Sequence, residues 1–165
     1  MSLKRAFNPV VDANTRLLIL GSLPGDASLK ASQYYGHPQN GFWRLVEGAI
    51  GIDLAALPYP LRLTTLKAAG VGLWDVIASA ERTGSLDGAI RNAEAADLNQ
   101  LVDSLPSLRA VAFNGGAAAR LGRRRLAARP GIDLVDLPSS SPAYTRPFAD
   151  KAAAWALLGR YAGRR

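Results

Sequence analysis

Three short apolar runs, spaced along the chain with helix-like sequence between them, decide what this protein can fold into. They are Arg16–Gly21 (RLLILG), Arg109–Phe113 (RAVAF) and Ile132–Leu137 (IDLVDL). In the first two, apolar residues at successive positions leave no face for water, so they read as strands buried inside a sheet covered on both sides; Ile132–Leu137 reads as a third strand. The covering is visible too. Gly41–Ile50 (GFWRLVEGAI) has the period of an amphipathic helix, with Asn40 at its N-cap. Leu63–Ala69 reads as a second, short helix, and Gly72–Val76 as a brief strand or turn. Over Ala93–Leu105 the spacing of Leu98, Leu101, Val102 and Leu105 predicts one apolar helical face. Ala117–Ala128 and Pro147–Tyr161 complete the helices. Strands alternating with helices predict an α/β fold, a three-layer α/β/α sandwich on a short, mostly parallel central sheet. At 165 residues the chain is expected to form one domain over 1–165, large enough to bury a full core.

In such a sheet, ligands bind beyond the carboxyl ends of the strands. Those ends carry Gly21–Gly25 (GSLPG), Asn114-Gly115-Gly116, and Pro138–Ala143 (PSSSPA), so three unusual loops are expected to meet at one edge. Ser22–Asn40 is also too long, and too rich in glycine, proline and serine, for a mere connection. Long ordered loops in compact domains tend to be functional. Its second half, Gln33–Trp43 (QYYGHPQNGFW), concentrates two tyrosines, a phenylalanine, a tryptophan and the only histidine.

Composition narrows the chemistry. Without cysteine there are no disulfides, iron–sulfur clusters or thiolate zinc sites, and the single histidine has no carboxylate cluster around it. No metal and no cofactor is expected. No apolar run approaches the ~20 residues of a membrane span, and the basic N-terminus lacks the apolar stretch of a secretory signal. The expectation is a cytoplasmic monomer. The formal charge is +7, and only four of the 20 basic residues are lysine. An arginine-rich surface suits a polyanion, although an arginine- and alanine-rich composition has the same look without one.

Each candidate has a plain structural reading beside the chemical one. GSLPG can present backbone N–H groups to an anion or simply turn the chain, and it lacks the Gly-Lys-Ser/Thr of a P-loop. Asn114 can offer its amide to a base edge or cap its helix. Ser139, Ser140 and Ser141 lack the G-x-S-x-G elbow of a hydrolase, and fit better as a loop that grips phosphates. Phe42 and Trp43 fit a helix packed on the core. Tyr34 and Tyr35 precede that helix, where a ring is able to stack on a flat ligand.

Taken together, the motifs resemble those of the uracil-DNA glycosylase superfamily. His37–Trp43 (HPQNGFW) is similar to the H-P-x-N-x-F-W segment of its mismatch-specific members. GSLPG stands where they have G-I-N-P-G, and PSSSPA resembles their Ser/Pro loop before the last helix. The variants GSLPG, YYGHPQNGFW and SSSPA resemble most the hypoxanthine (deoxyinosine) branch. One departure is chemical: the mismatch-specific first motif carries a water-positioning asparagine where this chain has Leu23. The resemblance implies an enzyme that extrudes deaminated bases (hypoxanthine, with uracil or xanthine) from DNA and excises them by hydrolysis. It implies that Asn40 takes over the catalytic water and that Tyr35 stacks on the base. It further implies that Gly21, Ser22, Leu23, Pro24, Gly25, His37, Phe42 and Asn114 complete the base pocket. Ser139, Ser140, Ser141, Pro142 and Ala143 would hold the DNA near the lesion. Two rival expectations remain: a silent binder of lesions or nucleotides, which the Leu23 departure favours, and an enzyme of free nucleosides.

Overall fold

The computed structural model describes residues 2–5, 7–23, 25–82, 90–127 and 129–163. In chain order the elements are β1 (Ser2–Arg5), β2 (Leu17–Gly21), α1 (Asp26–Ala31), α2 (Phe42–Ile50), α3 (Tyr59–Ala68), β3 (Val71–Asp75), β4 (Ile77–Arg82) and β5 (Ile90–Ala95). They continue with α4 (Leu98–Asp103), β6 (Ala110–Asn114), α5 (Gly116–Arg125), β7 (Asp133–Leu137), α6 (Phe148–Trp155) and a 3₁₀ turn over Ala156–Arg160. The central sheet has the order β3-β2-β6-β7, and every pairing in it is parallel. β2 and β6 are therefore interior strands, as their apolar runs require, and all five residues of β2 are buried.

Alternation along β2 builds two cores. Leu17 and Ile19 face one layer, where α2 contributes Phe42, Trp43, Leu45 and Val46, α6 contributes Trp155 and the 3₁₀ turn contributes Leu158. Leu18 and Leu20 face the other, with Leu98 and Val102 of α4 and Ala118 of α5. Fully burying a side chain of this size contributes roughly 1.5–3 kcal/mol. The two faces of one strand thus hold the helices of both outer layers, which is the expected sandwich. The chain before β2 covers the outer edge of β3, where Val10 and Leu73 exchange backbone hydrogen bonds of 2.9 and 3.0 Å.

Several boundaries differ from the sequence reading, and two elements are new. A second sheet, β1-β4-β5, is antiparallel throughout. It takes Ala93–Ala95 into β5, so the helix expected from Ala93 begins at Leu98, where Asp97 Oδ1 accepts from the N–H of Gln100 at 3.0 Å and caps it. The loop Ser22–Asn40 contains the six-residue helix α1. Of the brief strand or turn expected over Gly72–Val76, the strand is found, as β3 (Val71–Asp75) of the central sheet. The helix expected over Pro147–Tyr161 tightens into the 3₁₀ turn after Trp155. No helix among the described residues is long and apolar enough to cross a membrane.

Candidate active site

The carboxyl ends of β3, β2 and β6 stand side by side. Gly21 is in register with Asp75, and Asn114 follows Phe113, the register partner of Leu20. Residues at one register level of a parallel sheet project from the same face. A side chain at position 21 would therefore stand between Asp75 and Asn114. Glycine leaves that space open: a Cβ there would lie 2.7 Å from Asp75 Oδ1 and 3.1 Å from Tyr35 Oη. Above it lies a cavity of about 470 Å³. Its wall brings together Gly21, Ser22, Leu23, Gly25, Tyr35, His37, Asn40, Asn114 and Ser139 to Ala143. Pro24 lies outside the described residues. Phe42 does not reach the wall; it is fully buried directly behind Tyr35.

The aromatic loop divides its work. Tyr34 is an anchor: its Oη donates to Asn8 O at 2.9 Å, its N–H donates to Tyr59 Oη at 2.8 Å, and its carbonyl accepts from Trp43 Nε1 at 3.3 Å. Burial, and after it the negative charge of Asp75, pushes the Tyr34 phenol far above its ordinary value, so it stays a neutral donor. Tyr35 has φ of +54°, a left-handed conformation that costs a non-glycine residue about 1–2 kcal/mol. It is held there by Phe42, whose ring lies 3.8 Å from its own at 15°. Tyr35 itself borders the cavity. Strain of this kind concentrates at functional sites.

Asn40 is fixed from both ends. Its N–H donates to His37 O at 3.0 Å, and its Oδ1 accepts the N–H of Phe42 at 3.0 Å. The N-cap position itself belongs to Gly41, one residue later than the sequence reading placed it. Asn40 still closes an open donor of α2, and its amide makes no other hydrogen bond among the described residues. His37 Nδ1 accepts from the N–H of Gln39 at 3.0 Å, which leaves a ring proton on Nε2. That nitrogen is therefore a donor.

The serine loop is braced onto this frame. Asn114 holds Ser140 with both arms of its amide, Nδ2 donating to Oγ and Oδ1 accepting from the Ser140 N–H, each at 2.9 Å. Gly41 N–H donates to Ser140 O at 3.1 Å, which ties the aromatic loop to the serine loop. Ser139 Oγ accepts from Ser141 N–H at 3.1 Å and Ser141 Oγ from Ala143 N–H at 3.2 Å, so these hydroxyls shape the turn. Gly115, at φ +96°, lets the loop pass close by: a Cβ there would lie 3.1 Å from that of Ser139. Leu23 is buried among Leu18, Leu20, Val76 and Ile77. It contributes packing where an asparagine would contribute an amide.

A second cavity of about 350 Å³ adjoins the first across Ser140, Pro142 and Tyr144. Arg44, Arg146 and Lys151 border it, and no acidic residue is among the described residues that line it. The Arg44 guanidinium stands 4.7 Å from the centre of the Phe148 ring, and Lys151 Nζ 5.4 Å from that of Tyr144. Lys151 Nζ also donates to Ser141 O at 3.0 Å, and burial lowers its pKa. Tyr144 and Phe148 are nonetheless 46% and 43% exposed. Sequence reasoning passed over Asp75, Tyr144 and the cations around this second hollow. Tyr144, next to the serine motif, was the nearest to being readable. No group of three or more histidines or carboxylates that would hold a metal occurs among the described residues.

This geometry has relatives. Residues 9–159 match the model of the Uracil DNA glycosylase superfamily. Two curated proteins named hypoxanthine DNA glycosylase are 42% identical to the chain. The one from Methanosarcina acetivorans aligns over 96% of this chain and 99% of its own length. The one from Methanosarcina barkeri aligns over 93% and 96%. A solution NMR structure of a candidate uracil DNA glycosylase from Methanosarcina acetivorans superposes with a TM-score of 0.83 at 42% identity, covering 96% of this chain and 98% of that one. The chain belongs to the uracil DNA glycosylase superfamily.

Proposed function

We propose that this chain is a monofunctional DNA glycosylase that extrudes a deaminated base, hypoxanthine foremost, and hydrolyses its N-glycosidic bond. The observation that carries the reading is Asn40, whose backbone N–H is tied to His37 O and whose amide oxygen is tied to the Phe42 N–H, on the wall of a cavity sized for a small flat ligand. The names of the two Methanosarcina relatives point to hypoxanthine.

A base inside a duplex is out of reach, so extrusion comes first, at a cost of a few kcal/mol that is smallest for a mispaired base. The extruded ring lies against Tyr35, above Gly21. Water then attacks C1′ as the glycosidic bond lengthens through an oxocarbenium-like transition state. Asn40 orients that water but does not deprotonate it, because an amide is not a base near neutral pH. Catalysis then rests on stabilising the electron pair that leaves with the base. His37 Nε2–H and the backbone N–H groups of Ser22, Leu23 and Gly25, residues that border the cavity, would do so, and lactam bases carry the charge better than adenine. Ser139 to Ala143 enter the groove beside the lesion, while Arg44 and Arg146 take the neighbouring phosphates. The protein is read as a cytoplasmic monomer acting in base excision repair.

The test is base release from duplexes carrying inosine, uracil, xanthine or no lesion. Release of hypoxanthine from the inosine duplex is expected, and none from the intact one. The buried, apolar Leu23 favours a second reading, a silent lesion binder. That reading would win if inosine DNA bound more tightly than intact DNA yet released no base.

A further inference from the structure

Asp75 is the only carboxylate among the described residues that border the cavity, and the mechanism above gives it no task. It ends β3, is 3% exposed, and stands in register with Gly21. Its Oδ1 leans toward the space that Gly21 leaves open, since a Cβ there would lie 2.7 Å away. Asn114 flanks the same space from β6, but both arms of its amide hold Ser140. Of the polar side chains at this level of the sheet, Asp75 is thus the one placed to face a base edge.

Its chemistry suits one task. An ionised carboxylate accepts hydrogen bonds and donates none. Deamination of adenine turns the ring nitrogen N1 from an acceptor into an N–H donor, and deamination of cytosine does the same at N3. We propose that Asp75 reads deamination, accepting the lactam N–H of the extruded base and opposing the lone pair that adenine or cytosine, the undamaged parent bases, presents at the same position. The carboxylate also opposes the negative charge that builds on the departing ring, so its contribution is to selectivity rather than to rate. This inference rests on the glycosylase reading and names the specificity element of the same site.

The test compares inosine with 2′-deoxynebularine, a purine without the N1 proton or the 6-oxygen, in otherwise identical duplexes. Wild type, Asp75→Asn and Asp75→Ala are measured by single-turnover base release. A charge-assisted hydrogen bond corresponds to a factor on the order of 10–100, so the inosine-to-nebularine ratio should fall about that much in both variants. Asp75→Asn should also release purine from nebularine faster than wild type does, because an amide is able to donate to N1. A loosened pocket slows both substrates and cannot produce that crossing. If both variants keep the wild-type ratio within about twofold, or if Asp75→Asn slows the two substrates equally, Asp75 does not read the base. Should Asp75→Ala fail to fold, Asp75→Asn alone decides, its melting curve showing that it is intact. If wild type releases no base, the glycosylase reading falls by itself. The ratio of dissociation constants for the two duplexes then carries the same comparison, and an unchanged ratio in Asp75→Asn overturns the proposal.

Discussion

Replacing Gly21 by alanine adds one methyl group at the point where Asp75 and Tyr35 converge. The new Cβ would lie 2.7 Å from Asp75 Oδ1 and 3.1 Å from Tyr35 Oη, and both side chains are held by their surroundings. Carbon–oxygen contacts relax near 3.3 Å, so the carboxylate has to retreat by roughly 0.6 Å. Gly21 has no positive φ, so the backbone tolerates alanine. The smaller entropy of the unfolded chain returns about 0.4–1 kcal/mol against an overpacking cost of about 1–3 kcal/mol. Net stability should fall by no more than about 2.6 kcal/mol, at most roughly 5–10 °C in Tm for a chain of this length. Catalysis is less forgiving, because a misplacement of about 1 Å costs on the order of 10²-fold. Gly21→Ala should therefore release hypoxanthine roughly tenfold more slowly or worse, in single-turnover assays on protein whose thermal melt stays near wild type. A variant with an unchanged rate and a normal melt would show that the space above Gly21 does not receive the base.

Phe42→Ala removes a fully buried ring that stacks on Tyr35 and meets Trp43 and Trp155 edge-on. It should cost about 3–5 kcal/mol in denaturant titrations and slow base release even where the variant is folded. Asn114→Ala strips Ser140 of both partners; the buried N–H left behind costs about 1–3 kcal/mol. It should raise KM for lesion DNA more than it lowers kcat, because Asn114 holds the serine loop rather than the reacting atoms. Arg44→Ala should weaken binding to every duplex alike and reduce the slope of log K against log salt by about one, which fluorescence anisotropy at several salt concentrations would measure.

What could be read from the sequence follows the range over which each signal acts. LLIL and AVAF announce buried strands by local composition and IDLVDL a third strand, which lies half-exposed at the sheet edge; parallel pairing alone then brings the three special loops to one edge. The apolar face expected from Leu98, Leu101, Val102 and Leu105 was equally legible: Leu98 and Val102 of α4 and Leu105 just past its end are buried, and Leu101 is half-buried. The antiparallel sheet was not. Ile77–Arg82 (IASAER) and Ile90–Ala95 (IRNAEA) are built from good helix formers, and only their pairing with each other and with β1 makes them strands. α1 escaped notice because six residues without a side-chain cap show no period. Within the site, Asn40, Tyr35 and His37 were legible because one dense motif carries them. Asp75 looked like an ordinary residue of GLWDV until its register with Gly21 was known. Asn114 drew attention as a base contact, while its amide serves a serine 26 residues further on.

The central claim is that Asn40 orients the water that displaces the base, and the direct test is single-turnover release of hypoxanthine by Asn40→Ala beside equilibrium binding to the same inosine duplex. The side chain also satisfies the Phe42 N–H, so a small stability loss, about 1 kcal/mol, is expected and is separated out by the melting curve. If Asn40 orients the water, the rate falls by about two orders of magnitude or more while affinity for the duplex stays within a few-fold of wild type. If the folded variant releases hypoxanthine at the wild-type rate, Asn40 only closes the start of α2 and the account of catalysis is wrong.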